Sequence, residues 1–87
     1  MILPSNHRAK KYRVRVRNKT IHWGEAGQQH YRDVTPLRLY TRLDHENAAR
    51  RKAFWKATTG KTTKRDAMLE ARRSGNTELY YTIRYLY

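Results

Sequence analysis

The chain has no cysteine, only two prolines and only seven acidic residues among its 87. Without cysteine there is no disulfide framework, no thiolate zinc finger and no cysteine nucleophile. No apolar run approaches the roughly 20 residues of a membrane-spanning helix, and Pro4 interrupts the opening Met1-Ile2-Leu3 too early for a signal peptide. We therefore expect no membrane span, and a protein that is intracellular or bound to a particle.

Positive charge dominates what is present. Twenty lysines and arginines against seven acids give a formal net charge of +13. Hydrophobic residues make up 38% of the chain, less than in most globular domains, but aromatic residues reach 11%. A disordered basic tail would lack these aromatics, so a small folded core inside a positive shell is expected. Such a shell attracts polyanions: DNA, RNA or acidic surfaces of capsid or assembly proteins.

The cations are clustered rather than spread evenly. The first cluster has no acid within it and comprises Arg8, Lys10, Lys11, Arg13, Arg15, Arg17 and Lys19. The second comprises Arg50, Arg51, Lys52 and Lys56, and the third Lys61, Lys64, Arg65, Arg72 and Arg73. The first two clusters are the predicted binding residues for nucleic acid or an acidic partner.

Alternation along residues 11–17 predicts a β-strand with one buried face and one arginine face. Arginines at every second position would stand about 6.6–7 Å apart, a spacing suited to phosphates; a merely solvated outer face is the alternative. Asn18-Lys19 is a plausible turn into a second strand that ends at Gly24, so a hairpin is expected over about residues 11–23. Residues 1–10 are expected to form a basic extended arm, preceding a single domain over 11–87.

The central region predicts helices. A loop and a short strand near Leu37–Thr41 come first. Capping residues and apolar spacing then favour one helix over about 46–58 and a second over about 64–73. In the first helix the expected inner residues are Ala49, Ala53, Phe54 and Ala57. In the second they are Ala67, Met68 and Ala71.

The C-terminal residues return to alternation, which predicts a final strand covered on both sides. Its expected interface with the hairpin or with a neighbouring chain comprises Leu79, Tyr81, Ile83, Tyr85 and Tyr87. The whole sequence thus predicts a small α+β domain, in which this strand closes the sheet or extends that of another subunit.

Chemistry-bearing motifs are scarce. Gly60-Lys61-Thr62 resembles the end of a phosphate-binding loop, but the glycine required five residues earlier is replaced by Trp55. His22, His30 and His45 lack any familiar ligand spacing. Trp23, Tyr31, Trp55 and the terminal tyrosines are expected to form the core more than to stack on bases. We therefore expect no enzyme activity, cofactor, metal or small-molecule substrate.

Three segments resemble a group of small basic proteins of large DNA viruses and tailed phages. They are Ile21-His22-Trp23-Gly24, Asp44-His45-Glu46-Asn47 and Arg50-Arg51-Lys52-Ala53-Phe54. The resemblance implies a viral setting and a virion component, without supplying a biochemical activity.

The leading prediction is a non-enzymatic structural protein of a viral particle or nucleoprotein assembly, in a minor capsid, cement or genome-associated role. The alternatives are a free nucleic-acid-binding protein without sequence specificity, including a ribosome-associated one, and an enzyme accessory or regulatory protein.

Overall fold

The computed structural model describes all 87 residues and has an α+β fold, as predicted. Strands β1 (Ile2–Pro4), β2 (Lys10–Val16) and β3 (Lys19–Glu25) form one antiparallel sheet in that order. A long loop with a short 3-10 helix (Thr41–Leu43) leads to helices α1 (Ala48–Thr59), α2 (Lys64–Arg73) and α3 (Thr77–Leu86). None of the helices combines the length and apolar character that crossing a bilayer requires.

The predicted hairpin is confirmed and is slightly longer than expected. Tyr12 faces Trp23 across the two strands, and Val16 faces Lys19. This register leaves Arg17 and Asn18 as the two turn residues, so the turn begins one residue earlier than predicted. Arg17 accordingly has a left-handed backbone with φ 57°. The alternation holds near the turn, where Val14 is buried and Arg15 is exposed, but it fails at Lys11, which is buried beside Tyr12.

The first ten residues are extended but not free. Ile2 pairs with Val14 and Pro4 with Tyr12, which makes β1 the third strand of the sheet. Beyond it, the backbone N–H of Ser5 donates to the carbonyl of Lys11 at 3.1 Å. The N-terminal segment therefore belongs to the domain rather than projecting from it.

The predicted strand near Leu37–Thr41 is wrong. In its place the chain winds around the carboxylate of Asp33, which accepts the backbone N–H of Thr35 at 3.0 Å and that of Tyr40 at 3.1 Å. The Thr35 hydroxyl accepts the N–H of Arg38 at 3.1 Å. Because side chains satisfy these backbone donors locally, no ladder forms there.

Helix α1 starts at the predicted cap but turns a different face inward. The side chain of Asn47 accepts the backbone N–H of Arg50, and the helix ends at Gly60, whose φ is 76°. The predicted inner alanines Ala49, Ala53 and Ala57 are all exposed. Trp55 is buried instead, because its large ring removes far more apolar surface from water than three methyl groups.

Helix α2 matches its predicted bounds. The Thr63 side chain accepts the backbone N–H of Asp66 at the start of the helix. Ala67 and Ala71 are buried and Met68 is half-buried, as expected. Small residues on this face let α2 lie close to α3.

The predicted C-terminal strand is wrong, because residues 77–86 form helix α3. The side chain of Asn76 accepts the backbone N–H of Leu79 and so caps the first turn. Ile83 and Leu86, three residues apart, are buried on one side of the helix. A helix, not a strand, therefore covers the sheet.

Helix α3 joins two hydrophobic clusters. The sheet cluster contains the buried residues Tyr12, Val14, Trp23 and Leu86. The helical cluster contains Trp55, Ala67, Ala71 and Ile83. Since α3 contributes to both, it holds the sheet and the other helices together.

Candidate nucleic-acid interface

Few of the cations are neutralised within the molecule. Lys10, Arg32 and Arg73 are the only lysines or arginines that form ion pairs with carboxylates. The remaining cations have no acidic partner, and those that are exposed direct their charge to the solvent and to whatever binds from it.

The acids, in contrast, are mostly engaged. Glu25 and Glu78 both bind Lys10, and Glu46 binds Arg32. Asp33 and Asp44 lie within the loop and accept hydrogen bonds there. These acids are therefore paired with only two cations, Lys10 and Arg32, or held within the loop, and they leave the basic clusters around the hairpin turn, α1 and α2 largely without acidic partners.

The end of the hairpin is the most open basic surface, and we call Arg15, Arg17 and Lys19 the hairpin tip. All three side chains are exposed, and none makes a hydrogen bond or an ion pair. Arg13, the predicted third member of the arginine face, is only half-exposed, and its Nε is buried without a partner. The exposed cations of the hairpin tip therefore lie closer to the turn than the predicted arginine face of Arg13, Arg15 and Arg17.

The residues of the first cluster lie in different environments in the structure. Arg8 is exposed, but the Lys10 ammonium is held by Glu25 at 2.7 Å and by Glu78. Lys11 is 1% exposed, and its Nζ donates to the carbonyl of Gln28 at 2.8 Å. Burial lowers the pKa of Lys11 to about 8. Lys10 is held by two carboxylates and Lys11 is enclosed, so neither belongs to an exposed basic face, which corrects their assignment to one.

The second cluster also divides. Arg50, Lys52 and Lys56 are exposed on α1. The guanidinium of Arg51 instead lies over the rings of Tyr31 at 4.3 Å and Trp55 at 4.7 Å, and its Nε donates to the backbone carbonyl of Tyr87. Arg51 is thus a packing residue, in a position where planar stacking favours arginine.

The third cluster lies around α2. Lys61, Arg65 and Arg72 are exposed without acidic partners. Arg73 pairs with Glu70 at 2.7 Å. Lys64 is half-buried and donates to the carbonyl of Arg84 at 2.9 Å, and burial lowers the pKa of its amine.

The predicted C-terminal interface residues pack within the molecule. Tyr81 and Tyr85 stack on Trp23, with ring centroids 6.0 and 5.5 Å away. Ile83 is buried, and Leu79 is half-buried against the helical cluster. Tyr87 stacks on Phe54 at 3.7 Å. These side chains form the interior on a helix, so sheet extension through them does not occur in this structure.

Sequence reasoning missed a cleft of about 550 Å³ between the end of the hairpin strands and α3. Lys11 and His30 line it, with Gln28, Phe54 and Tyr87. The Nε2 of His30 lies 2.6 Å from Oδ1 of Asp44, and its Nδ1 is buried without a partner. The residues come from four separate segments, so no local motif indicates the cleft.

No group of three or more histidine, aspartate or glutamate side chains is arranged to hold a metal ion. Comparisons with protein-family models, curated proteins and solved structures found no match to this chain.

Proposed function

We propose that this protein binds nucleic acid without sequence specificity, through the hairpin tip. The observation that carries the proposal is that three exposed cations without an internal partner lie within five residues of each other, at and next to the two-residue turn of the hairpin. Their backbone is fixed by the β2–β3 pairing, so little ordering of the chain is required when phosphates bind. Phosphate contacts of this kind depend on charge and spacing rather than on base sequence.

The test is binding of the purified, nuclease-treated protein to labelled DNA and RNA across a salt series. We expect the logarithm of the affinity for DNA or RNA to fall steeply with the logarithm of the salt concentration. The variant R15Q/R17Q/K19Q should reduce this slope by about 2–3, because each phosphate contact contributes about one.

The matched control is K61Q/R65Q/R72Q, which removes the same charge from exposed positions around α2. It should change the slope much less than the hairpin-tip variant. Equal reductions would show that only net charge matters, and a flat slope in the unmodified protein would contradict nucleic-acid binding. Thermal unfolding of both variants checks that the fold is retained.

A second candidate is a structural component of a viral particle or nucleoprotein assembly, as the family resemblance implies. An exposed apolar loop favours it, since Val34, Leu37 and Leu39 are 50%, 38% and 48% exposed. Apolar side chains held at the surface suit contact with another protein. Under this role the protein stays with purified particles after nuclease treatment, whereas a free nucleic-acid binder is released.

A further inference from the structure

The cleft between the hairpin strands and α3 contains polar groups that the fold leaves without partners. His30 is 0% exposed and lines the cleft, yet its Nδ1 has no hydrogen-bond partner. A buried polar atom left unpaired costs free energy, so a ligand gains by supplying the missing bond. Because the ring has no accessible surface in the free protein, the side chains that cover it must move aside when the ligand binds.

The tautomer of His30 follows from its other nitrogen. Asp44 accepts at Oδ1 from the backbone N–H of Asp33 at 2.8 Å, and the same oxygen lies 2.6 Å from His30 Nε2. An ionised carboxylate only accepts, so Nε2 carries the proton. Burial, and then the charge of Lys11, lower the pKa of His30 and keep the ring neutral. Its Nδ1 is therefore a hydrogen-bond acceptor.

Donor capacity lies beside this acceptor. The Lys11 ammonium has three N–H groups, and the carbonyl of Gln28 is its only hydrogen-bond partner in the protein. The side-chain amide of Gln28 is exposed at the cleft and forms no hydrogen bond. A ligand that presents an N–H next to a C=O would satisfy the imidazole with one group and the ammonium with the other.

The walls favour a flat, neutral ligand. The rings of Phe54 and Tyr87 are stacked with an interplanar angle of 8° and together form one side of the cleft. Glu25 and Glu78 also line it, so a phosphate would meet negative charge inside. Arg50 donates to Oε1 of Gln29 at 3.0 Å, which brings a cation to a residue of the cleft wall.

We propose that this cleft binds an unstacked nucleobase that presents an N–H beside a carbonyl, as uracil does, with its phosphate outside near Arg50. The inference rests on the nucleic-acid-binding function and deepens it, because it adds a base preference at the cleft to the non-specific phosphate contacts of the hairpin tip. The carbonyl of the base accepts from Lys11, and its N–H donates to Nδ1 of His30. Aromatic walls supply stacking that any base can use, whereas the polar pair discriminates between bases.

The experiment titrates uridine and cytidine into the isotope-labelled protein and follows backbone amide signals by NMR. The two nucleosides are neutral and similar in size but differ at the edge of the base. Uridine should shift the signals of Gln28, Gln29 and His30 and bind about tenfold more tightly than cytidine, because the ring nitrogen beside the cytosine carbonyl is an acceptor and carries no hydrogen for the imidazole. Equal affinities, or no shifts with uridine, overturn the proposal.

Three variants sharpen the test. K11M should weaken uridine binding about tenfold, since it removes the donor to the carbonyl. T82Y should abolish binding by filling the cleft from α3, while T82A, at the same half-buried position, leaves the cleft open and should still bind. The amide spectrum of each variant shows whether it is folded. Binding by T82Y equal to that by T82A would place the nucleoside elsewhere.

The two proposals fail separately. Uridine binding with a flat salt slope for oligonucleotides would retain the cleft and reject the hairpin tip. A steep slope without uridine binding would retain the hairpin tip and reject the cleft. Uridine monophosphate adds a check on the position of the phosphate: it should bind more tightly than uridine, and R50Q should remove that difference.

Discussion

The hydroxyl of Tyr12 donates to Oδ2 of Asp33, and neither residue has any exposed surface. The bond links the middle strand of the sheet to the long loop. The same hydroxyl accepts the backbone N–H of Leu39 at 2.9 Å. Burial opposes ionisation of Asp33, but hydrogen bonds from Thr35, Tyr12 and the backbone outweigh it and lower its pKa. The Asp33 carboxylate thus fixes the conformation of the loop that leads to helix α1.

Replacing Asp33 with asparagine should destabilise the protein by about 2–4 kcal/mol, because an amide places donors against the donors of Tyr12 and Tyr40. Urea unfolding measures this change. The control is D66N, which alters an exposed carboxylate whose side chain makes no hydrogen bond. It should change stability by less than about 0.5 kcal/mol. Equal effects of the two substitutions would contradict the role assigned to Asp33.

The free energy of unfolding should rise with pH between about 8 and 10.5, the folded and the ordinary pKa of Lys11. Its folded pKa of about 8 lies below the ordinary value of 10.5, so the unfolded chain binds more protons between these limits. The free energy of unfolding therefore increases from pH 8 upward, by about 2–3 kcal/mol in total. Burial, together with the bond to Asp33, raises the pKa of Tyr12 to about 12 and reverses the trend above pH 10.

Unfolding of the wild type and K11M from pH 7 to 11 isolates this contribution. General relief of positive self-repulsion acts on both proteins, but only the wild type has the Lys11 component. K11M should therefore show a shallower rise between pH 8 and 10. Parallel curves would mean that the Lys11 ammonium is not disfavoured in the fold.

Arg51 and Lys52 are neighbours in one basic run and should behave differently. R51A removes a guanidinium stacked on two rings and bonded to the Tyr87 carbonyl, and should cost about 1–3 kcal/mol. K52A alters an exposed side chain without a partner and should be nearly neutral. Thermal unfolding compares them. A larger loss for K52A would refute the packing role of Arg51.

Gly24 is required where the hairpin meets α3. Its φ is 79°, and a Cβ there would lie 3.0 Å from Cδ1 of Leu86 and 3.3 Å from Cβ of Lys11. G24A should therefore destabilise the fold by about 2–3 kcal/mol, from strain and from displacement of α3. At Gly27 a Cβ meets nothing within 4 Å, so G27A should have little effect in the same unfolding assay.

The hairpin and α2 were predictable because local signals decide them. Alternation around Val14 fixes the strand faces near the turn, and the hydroxyl of Thr63 caps a helix whose buried face carries Ala67 and Ala71. Side-chain periodicity and caps require no knowledge of distant segments.

Helix α3 was not predictable from alternation. Its tyrosines and Ile83 favour a strand intrinsically, yet Tyr81 and Tyr85 sit one helical turn apart and both stack on Trp23. Long-range packing therefore overrides the local preference. Long-range contacts also explain why Lys11 is not a surface cation: its ammonium donates to the carbonyl of Gln28, which no pattern around residue 11 indicates.

The two hydrophobic clusters that α3 joins each contain one of the two tryptophans: Trp23 lies in the sheet cluster and Trp55 in the helical cluster. The fluorescence of each indole thus reports one half of the interior. A shared helix makes the folding of the halves cooperative, since neither keeps its apolar contacts after α3 leaves. The single-tryptophan proteins W55F and W23F should then lose their native emission in single transitions, each coincident with loss of helical circular dichroism.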